Sequence, residues 1–150
     1  MSTAPKVIVF GIISGLIWSV MPGVLGLLFS SSWESVLVLL AGMLTGIAVS
    51  SVLRVPLARC GRLQSLAVGL VALPFGAFVF GVFFTLLDIL FGKLSTSQYI
   101  TPFTPFTMGF VYAFFSVQSL YGLVLFPLAI LTTFLLWLVV RSRKRHQDAA

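Results

Sequence analysis

A chain of 150 residues that is 59% hydrophobic and only 8% charged is too apolar for a soluble domain, since soluble domains carry roughly 25% charged residues. Its net charge of +6 does not indicate nucleic-acid binding, because eight of the nine basic residues lie in three short segments at the ends of apolar runs. That placement is typical of topology signals and of contacts with anionic lipid headgroups. The composition predicts an integral membrane protein with no room for a separate soluble domain.

Long charge-free runs mark the predicted membrane spans. About 20 apolar residues cross the hydrocarbon core as a helix, and the runs predict spans at about 7–29, 36–53, 63–91 and 108–140. The first run is longer than the roughly 7–15-residue core of a cleavable signal peptide, so we expect it to stay as a signal anchor. The predicted fold is all-α, a single membrane domain over 1–150 built as a small bundle of four transmembrane helices.

Three connections separate the predicted spans. Residues 30–35 form a short turn, which makes the first two spans antiparallel neighbours. Residues 54–62 form a basic loop in which Pro56 and Gly61 should stop any helix. Residues 92–107 contain a doubled Thr–Pro–Phe that favours extended backbone. Their aromatic side chains suit the headgroup region, and a re-entrant loop is the alternative.

The run 108–140 can be read as one long bent span or as two short ones. An unbroken helix of this length would measure roughly 50 Å, against a hydrocarbon core of about 30 Å. Loop charge decides between the two readings. Four spans put eight basic residues on the cytoplasmic side and leave Lys93 alone outside, whereas five spans put four inside and five outside. We therefore expect four spans in a plasma (inner) membrane, with both termini cytoplasmic (N-in/C-in) and the last span tilted or bent at Pro127.

Small residues recur at every fourth position in the first two spans. On a helix this spacing places them along one face, and helices in lipid associate where small residues let their backbones approach closely. The two stripes favour a tight helix hairpin over the general abundance of glycine in membrane helices. The predicted packing residues are Gly11, Gly15, Ser19 and Gly23 in the first span and Gly42, Gly46 and Ser50 in the second.

Gln118 is the only amide or charged group deep within the fourth predicted span. Counted along one continuous helix from Met108, it lies about 15 Å below the outer boundary, where a lipid-facing amide would be costly. We expect it to face the bundle and to form a polar cluster near mid-membrane with Thr45 and with Ser19 or Trp18. Such a cluster would fix the helix register, or it would form a polar constriction in a transport path.

Residues that could carry chemistry are scarce. No pattern predicts a catalytic site, a metal site or a cofactor, and the only histidine, His146, lies in the tail. Asp88 is the one acid inside an apolar span, and an ion or proton role competes there with interfacial anchoring beside Lys93. The lone cysteine, Cys60, is expected to be an inert thiol.

The basic residues are expected to set the topology and to contact lipid headgroups. The residues in this group are Arg54, Arg59 and Arg62 in the basic loop and Arg141, Arg143, Lys144 and Arg145 in a basic cytoplasmic tail, 141–150.

These features predict a protein without enzymatic activity. The first hypothesis is a structural or accessory membrane protein that acts through helix–helix contacts, either as a homo-oligomer or with a partner membrane protein. The second is a small oligomeric channel or transporter, which the prolines within the spans, Pro22, Pro74 and Pro127, would suit. The third is a holin-like pore former, which depends only on small size, several spans and a charged tail. The expected surroundings are a bilayer with anionic headgroups, with no nucleic acid.

Overall fold

The computed structural model describes residues 3–24, 32–91, 101–118 and 122–141, and all the regular structure in these parts is α-helical. The predicted all-α class is confirmed for them. The helices are α1 Thr3–Val24, α2 Ser32–Arg59, α3 Arg62–Leu90, α4 Thr104–Gln118 and α5 Gly122–Arg141.

Three of these helices are long and apolar enough to cross a membrane. The qualifying segments are Val36–Arg59 with 24 residues, Arg62–Leu90 with 29 and Val124–Arg141 with 18. In α1 the described side chains form a shorter apolar stretch, Pro5–Val20. Length and composition therefore suggest a membrane location. The predicted count of four spans is not confirmed, because three of the described helices meet the requirements of length and hydropathy.

The predicted basic loop 54–62 is mostly helix. α2 continues through Pro56, and only Cys60 and Gly61 connect it to α3. The prediction that Pro56 stops the helix is wrong. Proline removes one backbone donor, but its own carbonyl still accepts a hydrogen bond from the Cys60 N–H at 3.1 Å. The side chain of Leu57 is fully buried, and its packing holds this last turn against the bundle.

α4 begins earlier than predicted. The second Thr–Pro–Phe of the connection, residues 104–106, forms the first turn of α4 instead of extended backbone. Proline is tolerated in the first turn because the N–H groups there have no intrahelical partner. The Thr104 hydroxyl also accepts a hydrogen bond from the Thr101 N–H at 2.9 Å. Residues 92–100, and with them the question of a re-entrant loop, lie outside the described residues.

The predicted span 108–140 corresponds to two described helices, α4 and α5, and residues 119–121 between them lie outside the described parts. α4 contacts the C-terminal half of α3, and α5 contacts its N-terminal half. The successive contacts are Gly109 with Gly81, Ile130 with Gly69, and Trp137 with the carbonyl of Cys60 just before α3. Taken together, α4 and α5 therefore pass along α3 in the antiparallel direction.

The described helices pack as two pairs. α1 packs along α2, and α4 packs along α3. α5 packs on α3 and also contacts α1 and α2, whereas α4 does not pack extensively on α1 or α2 within the described ranges. α2 also packs on α3 and so connects the two pairs. We call the end of the bundle that contains α4 the open end.

An apolar cluster holds the two pairs together at the opposite end, which we call the closed end. Its buried members are Val7 of α1, Leu57 of α2, and Leu136 and Trp137 of α5. The partly buried Val68 of α3 packs against them. The start of α1, the α2–α3 turn and the end of α5 therefore lie at one end of the molecule.

Candidate functional site

The small residues of α1 and α2 face each other across the helix hairpin. A Cβ added to Gly46 would lie 2.8 Å from the Cα of Gly15 and would collide with the carbonyl oxygen of Gly11. One added to Gly42 would lie 2.7 Å from the Gly15 carbonyl oxygen. Real Cβ atoms do not come this close to a backbone, so only glycine lets the two helices pack backbone against backbone here.

Two serines of the same stripes are buried in this interface. Ser19 donates within α1 to the Gly15 carbonyl at 2.6 Å. Ser50 donates across the interface to the Val7 carbonyl at 3.5 Å, in addition to bonds within α2. Gly23, the remaining member, lies in the last turn of α1, and its surroundings fall outside the described residues. The hairpin is thus joined by close backbone contact and by one hydroxyl that reaches across it.

A second small-residue face runs along α3, and the sequence analysis did not single it out. Its buried members recur at multiples of four positions, namely Ser65, Gly69, Leu73, Gly81 and Thr85. A Cβ on Gly69 would lie 2.7 Å from the Cα of Ile130 in α5. One on Gly81 would lie 2.9 Å from the Cα of Gly109 in α4. The four-residue spacing that identified the first two stripes was present here too, but Leu73 interrupts the run of small residues.

Between the two helix pairs lies a central cavity of about 470 Å³. All five described helices contribute to its wall, and the wall contains Trp18, Ser19 and Thr45 of the predicted polar cluster. Among the residues that the structure describes, no charged side chain lines it. Besides apolar groups, the wall carries several hydroxyl-bearing residues, which are Ser14, Ser19, Thr45, Ser50, Tyr112, Ser116, Thr132 and Thr133.

Most of these hydroxyls donate to the backbone of their own helix. This back-bonding satisfies the donor and leaves the oxygen lone pairs and the methyl groups facing outward. The pairs, besides those of Ser19 and Ser50, are Ser14 with Gly11 at 3.1 Å, Thr45 with Ala41 at 2.7 Å, Ser116 with Ala113 at 2.7 Å and Thr132 with Leu128 at 2.9 Å. The cavity wall is therefore less polar than its composition suggests.

The structure does not place Gln118 in the predicted cluster. It is the last residue of α4, it is exposed, and it does not line the central cavity. Its expected depth was counted along one unbroken helix from Met108, whereas α4 ends at Gln118 and a separate helix follows. Trp18, Ser19 and Thr45 share the cavity wall without it.

None of the described charged residues lines the cavity. Asp88 is half-buried in the last turn of α3, and Lys93 lies outside the described residues, so the choice between an ion role and anchoring stays a prediction. Arg54 is half-buried, and the other basic residues that the structure describes at the closed end are exposed, namely Lys6, Arg59, Arg62 and Arg141. The basic residues of the tail, Arg143, Lys144 and Arg145, also lie outside the described ranges.

Trp137 joins α5 to the α2–α3 turn. Its side chain is 4% exposed, and its indole N–H donates to the Cys60 carbonyl at 3.1 Å. Phe134 stacks on the ring with centroids 5.6 Å apart, and the Arg141 guanidinium lies 4.9 Å from the ring centre in a cation–π contact. Trp137 therefore provides a hydrogen-bond donor to the Cys60 carbonyl and holds the end of α5 against the α2–α3 turn.

In the described part of the chain, no group of three or more His, Cys, Asp or Glu side chains is placed to hold a metal ion. The helical bundle and its three long apolar helices are compatible with a membrane protein. The chain matches no known family model, no curated protein and no solved structure, so its function is argued from its own geometry.

Proposed function

We propose that the protein is a multi-pass integral membrane protein that crosses the bilayer four times, with both termini on the cytoplasmic side. The order of contacts along α3 supports this count. From Arg62 to Gly81, α3 rises about 28 Å, close to the hydrocarbon thickness of about 30 Å. α4 and α5 pass along this same length from Gly109 to Trp137, so together they account for one crossing.

The surplus length of this last crossing supports a break within it. An unbroken helix from Gly109 to Trp137 would rise about 42 Å, well beyond the stretch of α3 that it accompanies. Two helices in succession shorten that path. Discontinuous helices at membrane depth are tolerated where they are buried in protein or line a cavity, and both α4 and α5 line the central cavity.

Within the membrane, the proposed role is that of a structural or accessory protein that acts through helix–helix contacts without catalysis. The observation that carries this proposal is the α1–α2 interface, where Gly15 and Gly46 bring two backbones into direct contact. Such an interface makes a rigid hairpin and leaves large apolar side chains on the outside, such as Ile13 and Val52, which are 53% and 56% exposed. These outer faces are available to a second copy or to a partner membrane protein.

Photo-crosslinking in native membranes tests this role. A benzophenone amino acid is placed at one exposed position on each helix, and the positions are Ile13, Val52, Leu70, Phe110 and Leu131. At least one position should give a discrete crosslinked protein band, either a dimer or one defined partner. The same probe at Phe80, on the cavity wall, is the matched control and should give none. Crosslinks to lipid alone from all five positions would contradict the proposal.

The central cavity favours a second candidate, a small channel or transporter. Substrate sites of transporters lie near the bilayer midplane beside discontinuous helices, and this cavity lies beside α4 and α5. The two candidates differ in permeability. Vesicles with the purified protein should hold K⁺ and glycerol as tightly as protein-free vesicles if the role is structural. A saturable flux that is lost on filling the cavity would establish the second candidate instead.

A further inference from the structure

The central cavity is long. Its wall follows α2 from Gly42 to Leu53 and α5 from Leu125 to Leu136, and each of these stretches rises about 16 Å. This length along the helices matches an extended hydrocarbon chain.

The chemistry of the wall selects an uncharged, hydrocarbon-like occupant. Within the described ranges the wall has no charged group to replace the hydration shell of an ion, and the serine and threonine donors are largely used within their own helices. Apolar cavities stay dry and accept apolar ligands, and ligand sites of about 300–1,000 Å³ are typically apolar with few polar groups. The indole of Trp18 and the hydroxyl of Tyr112 provide such polar groups here.

The cavity reaches the outside of the bundle between the two helix pairs. Phe115 of α4 lines the cavity and is also 62% exposed, so it stands at the mouth. Trp18 of α1 also lines the wall and is half-buried. At the closed end, Val7 and Leu57 are fully buried and do not line the cavity. The exposed Phe115 therefore marks where the cavity meets the surroundings of the bundle.

We propose that the central cavity is a binding site for one hydrocarbon chain of a membrane lipid, which enters sideways between the α1–α2 and α3–α4 pairs. The inference rests on the proposed membrane placement, because only the bilayer presents such chains at the mouth. The bound chain fills a volume that the protein's own described side chains leave empty. It also explains why the wall is uncharged although its hydroxyl-bearing residues are numerous.

Gly76 provides a direct test. It lines the cavity, and a Cβ added to it would meet no atom within 4 Å, so a side chain can start there without a clash, and Gly76→Phe is designed to fill part of the cavity. Leu70→Phe on the same helix is the matched control. Leu70 is 50% exposed and does not line the cavity, so its phenylalanine should meet only bulk lipid.

Trp18 reports on occupancy. The proteins are reconstituted in vesicles of phosphatidylcholine that carries dibrominated acyl chains, which quench tryptophan on contact. The part of the quenching that is present in the wild type and absent in Trp18→Phe is assigned to Trp18. We expect strong quenching of Trp18 in the wild type and in Leu70→Phe, and loss of most of that quenching in Gly76→Phe. Water-soluble acrylamide should quench Trp18 weakly.

Equal quenching in Gly76→Phe and Leu70→Phe would overturn the proposal, as would strong quenching of Trp18 by acrylamide, which would show a hydrated cavity. If Gly76→Phe does not fold, as judged by circular dichroism, Gly76→Val makes the same test with a smaller side chain. A failure of the membrane placement is recognised separately, because the protein would then not float with the vesicles. Protein that floats and still shows unchanged quenching refutes the lipid-chain site alone.

Discussion

Gly46 and Gly76 differ in the space that is available for a side chain at each position. At Gly46 an added Cβ meets the backbone of Gly11 and Gly15, whereas at Gly76 it meets nothing within 4 Å. The same substitution should therefore have opposite effects. Gly76→Ala should raise the free energy of unfolding slightly, because glycine costs about 0.5–1 kcal/mol relative to alanine in a helix. Gly46→Ala should lower it by about 1–3 kcal/mol through overpacking.

Thermal unfolding in detergent measures both effects, with the wild type alongside. The pair is internally controlled, since the gain in helix propensity is common to both variants and cancels in the comparison. A Gly46→Ala protein as stable as Gly76→Ala would show that α1 and α2 do not pack as closely as the structure indicates.

Individual residues also show what the sequence could reveal. The two stripes of small residues in α1 and α2 could be recognised in the sequence, because a four-residue spacing places side chains on one face of a helix. The packing of Gly69 and Gly81 was missed because Leu73 lies between them on the same face, and a leucine gives no sign of whether it meets lipid or protein. Gln118 was misplaced because its depth depends on where α4 ends, which no local pattern marked.

At the scale of elements, the closed end depends on the contact between Trp137 and the α2–α3 turn. Trp137→Phe keeps an aromatic ring but removes the hydrogen bond to the Cys60 carbonyl. A typical hydrogen bond contributes about 0.5–1.5 kcal/mol, so the melting temperature should fall modestly. The turn itself should loosen, and the rate at which a maleimide labels Cys60 should rise.

Cys60 is the only cysteine in the chain, so its labelling reports on this turn without background. Trp18→Phe makes the same change on the cavity wall and should leave the labelling rate as it is in the wild type. An unchanged rate in Trp137→Phe would mean that other contacts hold the turn.

The ends of elements were harder to predict than their existence. α3 could be predicted almost to the residue, because a mostly apolar run without charged residues extends from Leu63 to Leu87. α2 was ended too early because Pro56 usually terminates a helix, and the burial of Leu57 that holds the turn is a tertiary contact. The second Thr–Pro–Phe was assigned to the loop, although a proline in the first turn of a helix is equally consistent with its sequence.

At the scale of the whole molecule, the four-crossing proposal predicts which positions face each side. In a Cys60→Ser background, single cysteines at Ser31 and Ser97 should react with a membrane-impermeant maleimide added to intact cells, and one at Ser142 should not. Breaking the cells should make the last one reactive, which controls for its intrinsic reactivity. Labelling of Ser142→Cys from outside would overturn the proposed topology.

The unequal joining of the two helix pairs has a mechanical consequence. Close packing makes a protein interior nearly incompressible, and the closed end, with Leu57 and Trp137 buried, is packed in this way. The central cavity, by contrast, leaves about 470 Å³ between the helix pairs without packed side chains. In the proposed bilayer, lateral pressure from the lipids would therefore change the width of the cavity more readily than the packing of the closed end.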